Sequence, residues 1–403
     1  MSGLTALGTT YNLPNYTGIL YNLTPTDTPF FSAIGGLSAG KQTVSKSFEW
    51  QNYDLRAAGQ NVALEGQDAP PDQIRVRATA NNVTQIHHEA TGVSYTKLAA
   101  IGESAGLNTT GKTNPILDEL DWQVAQYLKQ MVRDIEYSFI RGTYQNPSDN
   151  ATPRKTRGIL EAITTNVANV STAVPGGAAT TATASTDLIA ATAHGLAIGD
   201  QVTFTSVGTA TPLDTQTTYY VASSGFTANA FKVSLTSGGA AVDITADGTV
   251  TVQKRAAITK ASINNLLLSA YTNGGLMDSD TATLLIPPQQ KSLLSDLYIN
   301  GTGSGSRQET SRTVGGVNVS TIISDFGTLN VMLDRHMPAN TIAVVSLEQC
   351  SPVYLEIPGK GHFFAEPLAK TGAKERVQLY GEVGLAYGDE RTHAKMVGLS
   401  IPA

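Results

Sequence analysis

Residues 114–142 read NPILDELDWQVAQYLKQMVRDIEYSFIRG, and this stretch decides the architecture. Apolar side chains recur at Leu117, Leu120, Val124, Leu128, Met131, Ile135 and Phe139, the three-and-four spacing that lays one stripe along an α-helix. At a rise of about 1.5 Å per residue such a helix is roughly 40 Å long, more than a compact domain needs. The opposite face carries Asp118, Lys129, Arg133, Asp134 and Glu136, so the spacing predicts an amphipathic helix lying along a larger body. Just upstream, an extended polar arm returns through Asn82, Val83, Thr84 and Gln85.

Composition limits what that body does. The 403 residues are 41% hydrophobic, enough for two or three packed cores. Only 15% are charged while Gly reaches 38 residues, so much of the surface is neutral and suited to packing against other protein. A net charge of −6 argues against wrapping nucleic acid as the main task, which needs an excess of Lys and Arg. The single Cys350 excludes an intrachain disulfide, and no Cys and His cluster has zinc spacing. No signal-like start and no run of roughly 18 apolar residues is present, so no membrane partner is expected and the chain is read as made in a cytoplasm.

The pattern along the chain is α+β. Residues 1–45 read as an N-terminal arm with anchors at Tyr21 to Leu23 and at Thr24 to Phe31, where Pro25 and Pro29 hold the backbone extended and Phe30 and Phe31 invite burial. Residues 46–96 read as a long two-stranded loop. A strand-like run at Ser45 to Tyr53 leads to a tip with Gly59, Gly66, Asp68, Pro70 and Pro71, then returns from Ile74 to Val93. Residues 97–170 contain the helix. From 171 to 255 Thr, Ala and Gly dominate and short β runs appear at Gln201 to Thr205, Thr218 to Ala222, Phe231 to Leu235 and Thr249 to Gln253, the mark of an inserted small all-β domain. Residues 256–345 return to mixed structure. There a helix face forms from Ile263, Leu266, Leu267 and Tyr271, a buried strand runs from Ala282 to Ile286, and a second helix spans Lys291 to Tyr298. Strands follow around Val317 to Ile323, Asn330 to Leu333 and Thr341 to Val345. Residues 346–403 alternate as strands through Val377, Leu379, Gly381, Val383 and Leu385, and again at Lys395 to Leu399.

Little of this resembles a reaction centre. His87 and His88 beside Glu89 suggest a metal, but strand neighbours point to opposite faces, so at most one His shares a side with Glu89. The run from Asn300 to Arg307 reads NGTGSGSR and lacks the Gly-Lys-Ser or Gly-Lys-Thr ending of a phosphate loop. No nucleophile elbow occurs, and no catalytic, metal or cofactor residue is assigned. Arg154, Lys155 and Arg157 form a basic knot that is either a solvated face or a contact to nucleic acid or to a neighbour's carboxylates. Glu366, Lys370, Lys374, Glu375, Arg376 and Glu382 bring both charge signs together near the C-terminus, as surface pairs or as partners across an interface.

The order of these parts carries a resemblance. Thr-Pro-Phe-Phe at 28–31 comes first, then the long β loop, the Asn-Val-Thr-Gln return at 82–85, and a helix closing on Arg133-Asp134-Ile135-Glu136 and Phe139-Ile140-Arg141-Gly142. Arg157-Gly158-Ile159-Leu160-Glu161 follows. Further on stand Gly315-Gly316-Val317, Ser324-Asp325-Phe326-Gly327 with Leu329 and Val331, and Leu368-Ala369-Lys370-Thr371-Gly372 ahead of Glu382. This succession resembles the major capsid proteins of tailed bacteriophages, of the Hong Kong 97 type fold, and within them the subfamily represented by the SU-ten phage shell protein.

The resemblance implies an N-terminal arm, an extended loop, a spine helix, a peripheral domain completed by the C-terminal strands, and an axial domain. It implies hexamers and pentamers of an icosahedral shell around double-stranded DNA, assembled in a bacterial host. Partners would be other copies of the chain, with scaffolding, portal and decoration proteins, and DNA touched only non-specifically on the inner face. The β insert lies outside that fold. Its run from His194 to Phe204 and its Thr217 to Val221 segment resemble small β modules of virion proteins, which places it on the outer surface. Candidates for packing between subunits are Phe30, Phe31, Trp50, Leu128, Arg133, Glu136, Arg154, Arg157, Glu366, Arg376 and Glu382. The rival reading is a tail or surface adhesin, or a decoration protein, that carries a β binding module; a hydrolase would need a titratable constellation that is absent from the sequence.

Two departures from the family pattern matter. The chain begins close to the arm, where some relatives carry a long cleaved scaffolding segment. Some relatives also join a Lys of the extended loop to an Asn of a neighbour, yet no Lys occurs between Lys46 and Lys97. We expect no such cross-link: on a denaturing gel, mature particles should run as a single monomer band, and a covalent ladder would show the reverse.

Overall fold

The computed structural model describes residues 24–72, 74–99, 118–276, 282–299 and 320–402. Tyr21 to Leu23, the first residues of the expected helix from Asn114 to Leu117, the Asn300 to Arg307 run and Gly315 to Val317 lie outside these described residues.

The long helix spans Glu119–Arg141. Asp118 caps it, its carboxylate accepting from the backbone N–H of Leu120 at 2.9 Å and of Asp121 at 3.1 Å. Glu119 and Asp121 in the first turn and Arg141 in the last complement the helix dipole. Its end is set by close packing. Gly142 and Gly158 cross at contact, with the Gly158 N–H donating to the Gly142 carbonyl at 2.9 Å. A Cβ on Gly142 would stand 2.2 Å from the Ser138 carbonyl oxygen, and one on Gly158 2.6 Å from the Gly142 nitrogen, so neither position admits a side chain without moving backbone.

Among the described residues of the predicted stripe, those of its C-terminal half are fully buried. Met131, Ile135 and Phe139 are buried, whereas Leu120, Val124 and Leu128 are half-buried. The covering elements are the short arm helix Pro29–Ala33, the turn Ile159–Ala162 and a five-stranded sheet. In that sheet the central strand Lys374–Ala386 pairs along ten residues with Gln85–Ser94, from Lys374 opposite Ser94 to Val383 opposite Gln85. It also pairs with Phe363–Pro367 and with Ser351–Leu355, the latter flanked in parallel by Lys41–Thr43.

The extended loop is a two-stranded ribbon, Ser47–Tyr53 against Arg77–Val83, with a tip between them whose described residues are exposed and form no helix or strand. A six-stranded sheet runs in the order Ser320–Ser324, Gly327–Leu333, Ala282–Ile286, Ile342–Ser346, Ala394–Val397, Val167–Asn169. Helices Lys260–Thr272 and Pro288–Ile299 accompany it, and Ile263, Leu266 and Leu267 enter its core while Tyr271 stays 57% exposed. The boundaries expected at 97–170 and 346–403 shift here. Val167–Asn169 and Ala394–Val397 pair in parallel and join this sheet, not the one under the long helix, because Ile342–Ser346 has an open edge that Ala394–Val397 fills antiparallel.

Residues 172–254 build a separate eight-stranded sheet with its own core, among them Val202, Phe204, Tyr219, Phe231, Val250 and Val252. Its first and last strands, Thr172–Ala173 and Gly248–Lys254, are antiparallel neighbours with Thr172 opposite Lys254. The chain thus enters and leaves this module side by side, a few Å apart. Replacing 172–254 by a short Gly-Ser link should leave the remaining protein folded, with a cooperative unfolding transition and near-UV dichroism retained; loss of the transition would show that the module is needed for the body to fold.

Candidate functional site

The polar residues at the crossing of loop, helix and last long strand form one connected network. Asn82 is fully buried. Its amide Nδ2 donates to the Leu385 carbonyl at 2.7 Å and to the Arg157 carbonyl at 3.1 Å, and its Oδ1 accepts from the N–H of Val83 and of Arg157, both at 2.8 Å. Gln85 donates to Ser138 Oγ on the long helix at 3.2 Å and accepts from the Thr156 N–H at 3.2 Å. A fully bonded buried amide fixes register, because any slip leaves donors unpaired.

Glu382 sits beside it. Arg154 Nη2 donates to its Oε2 at 3.0 Å, Thr84 Oγ1 to the same oxygen at 3.2 Å, and the Tyr380 hydroxyl to Oε1. Burial, and then the neighbouring carboxylate, push the Tyr380 phenol up to about 12. Arg157 donates to the Tyr387 hydroxyl at 3.0 Å and lies over the Tyr144 ring, 4.4 Å from its centre. Trp50, at the base of the loop, donates from Nε1 to the Gly388 carbonyl at 2.7 Å and meets Tyr387 edge-on at 4.9 Å.

The arm is held by a second carboxylate. Glu136 is fully buried and its two oxygens accept from the N–H groups of Phe30 at 2.8 Å and Phe31 at 2.6 Å, at the start of the arm helix. The Phe31 ring packs edge-on against Phe139 at 5.7 Å. Asp27 adds an exposed pair with Arg335 at 2.9 Å. Burial, then the contact with the Asp334 carboxyl, raise the Glu136 carboxyl to about 9, against the pull of the two backbone donors.

Beyond these anchors the surface offers apolar material. On the loop tip Leu55, Val62, Leu64, Ile74 and Val76 are all at least 70% exposed. Between Gln85–Ser94 and the long helix runs a groove of ≈ 360 Å³, lined by Gln85, His87, Glu89, Met131, Asp134 and Tyr137 among others. Burial lowers His87 to about 4, so its ring is neutral, while His88 on the opposite strand face is exposed. Among the described residues no three His, Cys, Asp or Glu come together as a metal set, and no helix is long and apolar enough to cross a membrane.

The sequence matches the family model described as SU10 major capsid protein over residues 3–400. The chain belongs to that family. A relative, the major capsid protein of Escherichia phage Phieco32, is 25% identical over 371 residues, which cover 91% of this chain and 88% of the relative. The capsid asymmetric unit of cyanophage A-1(L) superposes with a TM-score of 0.53 at 13% identity, over 98% of this chain and 99% of that one, and shares its fold. The capsid of the native GTA particle is similar more loosely, with a TM-score of 0.49 at 13% identity over 99% of each chain. The architecture is thus the Hong Kong 97 type that the order of sequence motifs suggested, and nothing in these matches supports the adhesin reading.

Within this family fold, the residues put forward for packing between subunits divide into two groups. Phe30, Phe31 and Glu136 are buried inside their own chain, where Glu136, expected on the outward face, caps the arm helix. It stands beside Ile135 on the edge of the stripe, and two N–H donors compensate its burial. Arg154, Arg157 and Glu382 are likewise committed to intrachain partners, as is the Trp50 indole N–H. Of the basic knot, Lys155 alone is exposed. Glu366 pairs with Lys360 at 2.7 Å on an outer strand, Arg376 reaches Thr371 at 3.4 Å, and Leu128 and Arg133 are half-exposed on the helix. The sequence reading missed Asp334, Thr156 and Tyr387. None stands in a recognisable motif, and only the pairing of distant strands brings them in.

The Arg154–Glu382 pair is largely buried, and a desolvated charge that loses its partner is costly. Arg154→Met should lower the stability of unassembled protein by about 3 kcal/mol in urea unfolding, and adding Glu382→Leu should restore more than half of it.

Proposed function

We propose that this chain is the principal building unit of a tailed-phage head, closing with its own copies as hexamers and pentamers into an icosahedral shell around double-stranded DNA. Membership of the major capsid protein family supports shell building. The observation that carries the finer reading is the uncovered half of the helix stripe, Leu120, Val124 and Leu128, together with the apolar loop tip. A single chain leaves both partly in water, and copies arranged around an axis cover both at once.

Each such contact is modest. An aliphatic side chain contributes about 1.5–3 kcal/mol on full burial, so loop, helix face and the charges of Glu366 and Arg376 supply several weak interfaces instead of one strong one. Avidity over several neighbours then stabilises the closed shell while single misplaced subunits can still leave. The β module 172–254 is assigned to the outer surface, and scaffolding, portal and decoration proteins are the expected further partners. A formal net charge of −6 leaves DNA contact non-specific and confined to the inner face. Assembly is assigned to the host cytoplasm.

Electron microscopy of purified protein should show closed shells or hexameric sheets, and discrete monomers with an appendage would refute this reading. Because Leu128 is half-buried in the chain, Leu128→Asp should leave the helical circular dichroism signal intact and abolish particles in sedimentation; normal particles from this variant would remove the stripe from the interface.

A further inference from the structure

Residues 397–401 thread the junction between the body and the β module. On the segment that leads into the module, the Val170 N–H donates to the Val397 carbonyl at 3.1 Å and Ser171 Oγ to the Gly398 carbonyl at 3.3 Å. On the segment that leads out, the Ala256 N–H donates to the same Gly398 carbonyl at 3.3 Å, and the Ser400 N–H to the Ala256 carbonyl at 2.8 Å. Gly398 has a φ of +82°, and a Cβ there would stand 2.1 Å from Ser171 Oγ, so only glycine passes this close to the entry.

A third attachment lies one strand further out. Gln201 opens the module strand Gln201–Ser206, which pairs with the exit strand Gly248–Lys254. Its side-chain amide clasps the Ile401 backbone in both directions: Oε1 accepts from the N–H at 2.7 Å, and Nε2 donates to the carbonyl. With neighbouring strands about 4.8 Å apart, the entry, the exit and this clasp span roughly 10 Å. Two adjacent connections alone make a strap that twists, and a third beside them widens the base.

The other side of residues 397–401 is fixed to the body. Leu399 is fully buried in the core of the six-stranded sheet, and its N–H donates to the Asn340 carbonyl at 3.1 Å. Gln290, fully buried on the helix Pro288–Ile299, donates from Nε2 to the Ser400 carbonyl at 2.8 Å and to the Ala339 carbonyl at 2.9 Å. Arg255, at the module's exit, is 6% exposed. With the Asn340 amide turned so that its oxygen meets the guanidinium, Arg255 Nη1 and Nη2 donate to it at 2.6 and 3.0 Å. A shift of the module would leave these buried donors unpaired.

We propose that residues 397–401 are a latch that holds the β module in one orientation on the body, with the Gln201 clasp on Ile401 as its outer catch. The module is then a rigid projection and not a domain swinging on its two connections. The latch lies within one chain and does not rest on the assembly reading.

Spin labels on two introduced cysteines test this. Ser185→Cys lies on an exposed turn at the end of the module away from Lys254, and Asn264→Cys on the exposed face of the helix Lys260–Thr272. The single native cysteine, Cys350, is buried and its thiol is pushed up to about 12, so it does not take the label. Full-length protein, diluted with unlabelled copies so that only distances within a chain are read, is measured by electron–electron double resonance. We expect one narrow distance peak for the parent. Gln201→Ala removes both hydrogen bonds of the clasp, which favours the unlatched state by about 30-fold, and should add a second, broad component. Ile401→Pro removes the N–H alone and should add a smaller one. A peak already broad in the parent overturns the latch, as does a peak that stays single and narrow in both variants. Amide exchange in the strand Gly248–Lys254 should match the parent, and equal loosening there would overturn the assignment to orientation. Should Gln201→Ala fail to fold, Ile401→Pro decides alone, since it changes no residue of the module.

Discussion

The body of this protein depends on polar groups that must be satisfied inside it at the crossing of segments far apart in sequence. The Asn82 amide, four hydrogen bonds deep, joins the returning loop strand to the segment before Ile159 and to the last long strand at Leu385. Apolar packing alone tolerates sliding by a residue or two, whereas a buried amide does not. Because the loop ribbon leaves the body immediately beside Asn82, its direction is set by these bonds and by the Trp50 indole on Gly388. This crossing is where the loop ribbon leaves the body.

The long helix serves two environments along one stripe. Met131, Ile135 and Phe139 close the chain's own core beneath it, while Leu120, Val124 and Leu128 continue the stripe into half-covered territory. A helix whose apolar face outruns its own domain needs a second surface to complete its burial. The same logic applies to the loop tip, whose aliphatic residues have no intrachain core to enter. The apolar pattern along helix and loop thus extends beyond the core that the described residues of the chain build.

Much of this was legible in the sequence. Period 3.6 found the helix, alternation found the strand Lys374–Ala386, the Gly and Pro punctuation marked the loop tip, and the rise of Thr, Ala and Gly after 171 with its short β runs marked the β segment. What the sequence concealed was which polar residues turn inward. Glu136 reads as surface because carboxylates are rarely fully buried, and its compensation comes from two N–H groups more than one hundred residues upstream. Arg154 and Glu382 read as candidate interface charges because each is ordinary until the segment around Thr156, bonded to Gln85, brings Arg154 onto the strand Lys374–Ala386. The strand Ala394–Val397 was read with its sequence neighbours, but sheet membership follows open edges and not proximity along the chain.

The paired ends of the β module carry a mechanical consequence. Thr172 and Lys254 face each other across one ladder, and the other ties nearby, such as Gln201 to the Ile401 backbone, sit at the same end. A pull on the far side of the module therefore reaches the body through a narrow neck, where the load peels hydrogen bonds one at a time before it can shear the six-stranded sheet beneath. The module is hung like a flag from a short mast. Wind on the flag bends the mast before it disturbs the deck.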